Sequence, residues 1–95
     1  AAGLSISETL KSTIRGLGQA RRNAQDAVSM VQVSEGALGE ISNILARMRE
    51  LGVQASSDNI GDGERGFINI EIQELKNEVQ RIAQTTRFGS VKLLD

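Results

Sequence analysis

The stretch SSDNIGDG, Ser56–Gly63, decides the fold. Ser, Asp, Asn and Gly bond to nearby backbone and favour turns and caps over helix interiors. Asp62 suits the N-cap of a following helix, and Glu64 sits well against that helix's dipole. Upstream, Leu10, Leu17, Ala24, Val31, Leu38 and Leu45 recur at an unbroken seven-residue interval. Ile14 and Val28 flank them on one side; Ala20, Ala27, Ile41, Met48 and Ala55 flank them on the other. Such a stripe marks a long helix lying against other helices, and the spacing predicts one over about residues 5–55. Downstream, Ile68, Ile72, Leu75, Val79 and Ile82 are spaced four, three, four and three, with polar residues such as Asn69, Gln73 and Lys76 opposite. They predict a second helix over about residues 64–86, folded back on the first as an antiparallel hairpin. The ending FGSVKLLD, Phe88–Asp95, carries a turn signal followed by Val91, Leu93 and Leu94. It is expected to form a turn and a short strand over 87–95. The expected class is therefore all-α: one very long helix and a shorter antiparallel one, with a short β segment at the C-terminal end.

Fifty-one helical residues at about 1.5 Å each extend roughly 75 Å. A compact globule of this chain length is about 30 Å across, so the expected shape is a rod. Charge is balanced, 11 Lys and Arg against 12 Asp and Glu, which offers no basic footprint for nucleic acid. The longest uncharged run in the body of the chain is the eight residues Ala27–Ser34. A membrane span needs about 20 apolar residues. His, Cys, Trp, Tyr and Pro are absent. The usual nucleophiles, general bases and soft-metal ligands are therefore missing, and no motif for zinc, phosphate or an activated serine is present. No enzyme, cofactor or metal site is expected. The chain begins at Ala1 and has no signal-peptide h-region, so a fragment or processed product is expected.

Five glycines, Gly16, Gly18, Gly36, Gly39 and Gly52, fall inside the first helix. Each costs about 1 kcal/mol relative to Ala in a helix interior, a sum comparable with the stability of a small domain. Either close packing of the stripe offsets them, or these positions are merely tolerated. Yet a second helix of about 23 residues covers less than half of the first. The stripe from Leu10 to Val31 has no partner in this sequence, and an uncovered stripe of that length invites aggregation. Another chain, a missing part of the same chain, or a bend must cover it. The chain reads as an assembly element.

The segment RMRELGVQ, Arg47–Gln54, carries the candidate contact. On a wheel of 100° per residue, Ile41, Leu45, Gly52 and Ala55 lie within about 60° of Met48. Asn43, Arg47, Glu50 and Gln54 form the far ridge, and Leu51 falls on the border between the two faces. Gly52 is expected in the inner seam. The ridge with Leu51 is either solvated or a subunit contact, an Arg beside an apolar residue being common at interfaces.

Nearly the whole sequence resembles the amino-terminal region of bacterial flagellin. The resemblance rests on GLGQARRNAQD (16–26), EGALGEI (35–41), RMRELGVQA (47–55) and the ending TRFGSVKLL (86–94). One departure is Gly89–Ser90, where the family usually has Asn–Gly after the phenylalanine. The resemblance implies a subunit of the extracellular flagellar filament that serves motility and leaves the cell through the flagellar channel. This chain would be the amino-terminal part of its inner rod domain. The returning carboxy-terminal helix, absent here, would cover the unpaired stripe, and other subunits would complete a homo-oligomer. The resemblance also implies detection by the vertebrate flagellin-sensing Toll-like receptor. By motif position, Arg47, Leu51 and Glu71 would carry that contact. A signalling or adaptor coiled-coil hairpin, such as a chemoreceptor stalk, is the alternative; it needs arms of matching length.

Overall fold

A computed structural model of the chain describes residues 1–94. Two α-helices account for nearly all of them: α1, Ala2–Ala55, and α2, Asp62–Leu94. The all-α, two-helix reading is what the structure shows. By its internal packing the chain divides into two units, Ala1–Gln32 and the remainder from Val33.

The first unit is the amino-terminal part of α1 alone. A lone helix has nothing to bury its apolar side chains against, and Leu10, Ile14, Leu17, Val28 and Val31 are all exposed. Local bonds support it. The Thr9 hydroxyl donates to the Ser5 carbonyl and the Thr13 hydroxyl to that of Thr9, both at 2.9 Å. Arg22 donates to the Gln19 side chain at 2.8 Å, and Gln19 donates on to Asn23 at 2.9 Å.

The second unit is a helical hairpin. Its core lies between two seams, each with alternating steps of three and four. On α1 the seam is Ala37, Ile41, Ile44, Met48, Leu51 and Ala55, all buried or half-buried. On α2 it is Ile68, Ile72, Leu75, Val79 and Ile82. Leu51, Ile68 and Ile82 are the fully buried members among the described residues. This is the spacing of helices that pack antiparallel at a small crossing angle, with side chains of one filling gaps in the other.

The loop between the arms is held by Arg65. Its Nε donates to the Ala55 carbonyl and its Nη2 to the Ser57 carbonyl, both at 3.2 Å, while Nη1 lies 3.8 Å from Asp62. A guanidinium thus satisfies one of the carbonyls that α1 leaves open at its end and sits where the helix dipole favours positive charge.

Two expectations are corrected here. Residues 87–94 form no strand; they continue α2 as helix. An isolated strand has no neighbour to take its backbone bonds, whereas a helix satisfies them internally. The α2 seam also continues through Thr86, Gly89 and Leu93, each half-buried and again four, three and four apart. Asp95 lies outside the described residues. The second correction concerns Leu38 and Leu45, expected to pack in the seam but 65% and 54% exposed. One neighbouring helix covers a single stripe, and α2 lies along the Ile41–Ile44–Met48–Leu51 line, to one side of them.

Candidate functional site

Two features of the hairpin surface could meet another molecule. One is apolar. Leu38 and Leu45 occupy the flank of the α1 seam that α2 leaves open, and Leu10, Leu17 and Val31 of the first unit are equally uncovered. The seven-residue interval that joins these residues in the sequence is thus not the one used within the hairpin. The hairpin uses Ala37, Ile44 and Leu51 at the same period, shifted by one position.

The other feature is polar and lies on the opposite flank. Arg47 donates from Nε to Glu71 at 3.1 Å and from Nη1 to Glu50 at 3.2 Å. The guanidinium also contacts Glu71 through Nη2 at 3.1 Å. The bond to Glu71 joins the two arms across 24 residues of sequence. Hydrogen bonding to Glu50, then to Glu71, raises the Arg47 pKa above its usual value, so the cation is fixed at any working pH. All three side chains remain substantially exposed. Each pair is therefore worth little to folding, and the arrangement chiefly fixes their geometry. Glu78 and Arg81 on α2 form a second pair, with Nε of Arg81 donating to Glu78 at 2.9 Å. Hydrogen bonding to Arg81 holds the Glu78 carboxyl below its ordinary range.

The structure brings Arg47, Glu50 and Glu71 together as one cluster, and Gln54 is exposed on the same helix. Leu51 is not with them. It is 2% exposed, the most deeply buried side chain recorded, and belongs to the hairpin core. Its borderline place on the wheel was resolved inward because α2 packs on that border. Gly52 is also corrected. A Cβ built there meets nothing within 4 Å, so no close approach within this chain requires glycine. The same is true of Gly16, Gly36 and Gly39, and at Gly18 only the flexible end of Arg22 comes near, at 3.7 Å.

Ile44 and Arg65 escaped the sequence reading. The signal for Ile44 was its place three residues beyond Ile41 and four before Met48. Arg65 offered none, because its partners are backbone carbonyls. Among the described residues, no cluster of acidic side chains could hold a metal ion, and no helix is long and apolar enough to cross a membrane.

Comparison with known proteins gives these faces a context. The family described as the bacterial flagellin N-terminal helical region matches residues 1–95. A flagellin of Halalkalibacterium halodurans is 50% identical over the whole chain, which spans 35% of that relative. Flagellin B of Vibrio cholerae is 48% identical over the whole chain, which spans 25% of it. The flagellar filament 31.3 kDa core protein of Treponema maltophilum is 47% identical over 94 residues, 33% of its length. The chain thus spans about a quarter to a third of these relatives. No solved structure gives a significant match. With the match running from the first residue to the last, the chain belongs to the bacterial flagellin N-terminal helical family.

Proposed function

We propose that the chain is the amino-terminal part of the inner rod domain of a structural subunit of the extracellular flagellar filament, polymerising by helix packing to serve motility. The observation that carries this reading is the exposure of Leu38 and Leu45 beside a helix that could have covered them. A second apolar flank on α1, left open although α2 runs alongside, is what a helix needs to meet a further helix. In this proposal the absent carboxy-terminal helix of the same chain takes that flank together with Leu10, Ile14, Leu17, Val28 and Val31, and neighbouring subunits complete the cover. The reading needs no catalytic group.

The Arg47, Glu50, Glu71 cluster, with Gln54 beside it, is the proposed polar contact, first between subunits and then with the vertebrate flagellin-sensing Toll-like receptor. Its support is the ion pair that holds Arg47 and Glu71 together across the hairpin. Leu51 serves that contact only from beneath, by keeping the two arms in register.

The test is polymerisation of a full subunit containing this region. Leu38→Asp and Leu45→Asp should suppress seeded filament growth, followed by light scattering and electron microscopy, with circular dichroism and melting of the subunit unaltered. Filaments that grow at the normal rate would remove this flank from the interface. For the polar cluster, Arg47→Ala should reduce activation of receptor-bearing reporter cells while changing hairpin stability by less than about 1 kcal/mol.

A further inference from the structure

The first peptide bond of α2, Asp62–Gly63, joins a carboxyl and an amide that can react with each other. An aspartyl side chain is open to attack by the amide nitrogen of the next residue, which closes a five-membered imide. A side chain on that next residue crowds the nitrogen, and glycine has none. Asp62 is the one Asp or Asn in the sequence that precedes glycine. Asn23, Asp26, Asn43, Asn69 and Asn77 precede larger residues and lie inside the helices. Asp58 and Asn59 lie in the loop, but Asn59 and the branched Ile60 follow them.

The fold leaves both reacting groups free. The Asp62 side chain is fully exposed, and its ionic contact, to Nη1 of Arg65, is a long 3.8 Å. The Gly63 amide belongs to the first turn of α2, where no helix carbonyl can take it, and it has no backbone acceptor among the described residues. The turn itself is lightly held. Its first closing bond runs from the Arg65 amide to the Gly61 carbonyl at 3.1 Å, and Gly61 and Gly63 stand on either side of Asp62. Glycine increases the conformational freedom gained on opening, so this helix end frays readily. Once the turn opens, the Asp62 carboxyl carbon can swing onto the Gly63 nitrogen, an approach that closed helical backbone does not allow.

We propose that Asp62–Gly63 is a site of spontaneous isoaspartate formation. The Gly63 nitrogen adds to the Asp62 carboxyl carbon. Its proton and the carboxyl hydroxyl leave together as one water, and a cyclic imide remains. One water then opens the imide at either carbonyl. Opening at the main-chain carbonyl routes the chain through the side-chain carbon and gives isoaspartate; opening at the other restores aspartate. Solvent supplies the only co-reactant, no redox step occurs, and the final mass is unchanged. The isoaspartyl form has an extra methylene in the main chain at the first turn of α2. It moves the carboxylate away from Arg65, the residue that ties the loop to the Ala55 and Ser57 carbonyls. The modification therefore loosens the joint between the two arms.

The test is incubation of the chain in warm, mildly acidic buffer, with isoaspartate mapped by digestion, mass spectrometry and labelling with an isoaspartyl methyltransferase. Isoaspartate should accumulate at residue 62 several-fold faster than at Asp58 or Asn59, after a transient form lighter by one water. Gly63→Ala should slow it several-fold with circular dichroism unchanged, since a Cβ there meets nothing within 4 Å. Arg65→Ala should speed it, because the turn and loop are then held less firmly. The separated isoaspartyl chain should unfold at lower urea than the unconverted chain. Conversion at residue 62 no faster than at Asp58, or unaltered by Gly63→Ala, would overturn the site. So would an intact Asp62 at the time when a peptide of residues 56–66 has fully converted. A rate indifferent to Arg65→Ala would refute the part given to the turn, and an equal urea midpoint would refute the loosening of the joint. The filament reading is judged separately by Leu38→Asp and Leu45→Asp, which lie far from this turn in the sequence.

Discussion

Leu51→Ala separates core from surface most sharply. Leu51 is 2% exposed on a helix whose Leu38 and Leu45 are mostly in water. Truncating a buried leucine costs about 2–5 kcal/mol, made up of lost transfer energy and the cavity left behind. The lower end applies here. The core is one layer between two helices, and half-buried Met48 and Ala55 can move into the gap. Even about 2 kcal/mol shifts the ratio of folded to unfolded hairpin roughly 30-fold. Few side chains are as fully buried, so little else offsets the loss. Leu38→Ala is the control. It removes a side chain of the same size from the same helix, and its effect should stay within about 0.5 kcal/mol. The assay is urea unfolding of both variants, followed at 222 nm at a concentration where the chain is monomeric. A Leu51→Ala midpoint equal to that of Leu38→Ala would refute the assignment of Leu51 to the core. It would restore the border position suggested by the wheel.

Three further outcomes follow from particular contacts. Arg65→Ala should destabilise the hairpin by about 1 kcal/mol in the same unfolding assay, since it removes two charge-assisted bonds from a partly exposed side chain. Arg65→Lys should recover little, because one ammonium cannot span both carbonyls. Hydrogen bonding to Arg81 lowers the Glu78 pKa from its ordinary 4.5, so the folded hairpin holds that proton less tightly than the unfolded chain. The pair's small stabilisation is therefore present above about pH 4.5 and fades as pH falls through the lowered value. The excess of the wild-type urea midpoint over that of Glu78→Gln should therefore hold above about pH 4.5 and shrink as pH falls below it. Gly36→Ala and Gly39→Ala should each raise helix stability by up to about 1 kcal/mol in this chain, measured by thermal melting, since a Cβ there meets nothing.

The number of helices and their class were legible because the seven-residue interval of α1 and the four–three spacing of α2 are both strong and both sit beside an unmistakable break at Ser56–Gly63. Which of two adjacent stripes on α1 would face α2 was not legible. Leu38 and Leu45 are larger than Ala37 and no less apolar than Ile44, so residue type favours them. The choice is made by the partner helix. Packing against the Ile68–Ile82 line of α2 brings the Ile44–Leu51 line inward. The end of α2 was misread for a related reason. Gly89–Ser90 is a turn signal locally, but Gly89 also falls on the seam between Thr86 and Leu93, and periodicity outweighed local preference. Arg47 and Glu71 were found through motif position and brought together by the fold. No spacing rule connects residues 24 apart on different helices.

Close packing is expected to offset the glycines of α1, yet within this chain the space over Gly36, Gly39 and Gly52 is open. A helix that needed only its own hairpin partner would gain from alanine at each of them. Retaining glycine costs stability here, and that cost has no return inside the chain. It can be recovered only where another helix approaches the backbone more closely than a Cβ would permit. The glycine substitutions therefore act in opposite directions on two measurements. They should stabilise the isolated chain and, if a further helix packs over those positions, weaken assembly of the full subunit. A gain in both would mean that the glycines are merely tolerated, and the open flank at Leu38 and Leu45 would then have to carry the assembly argument alone.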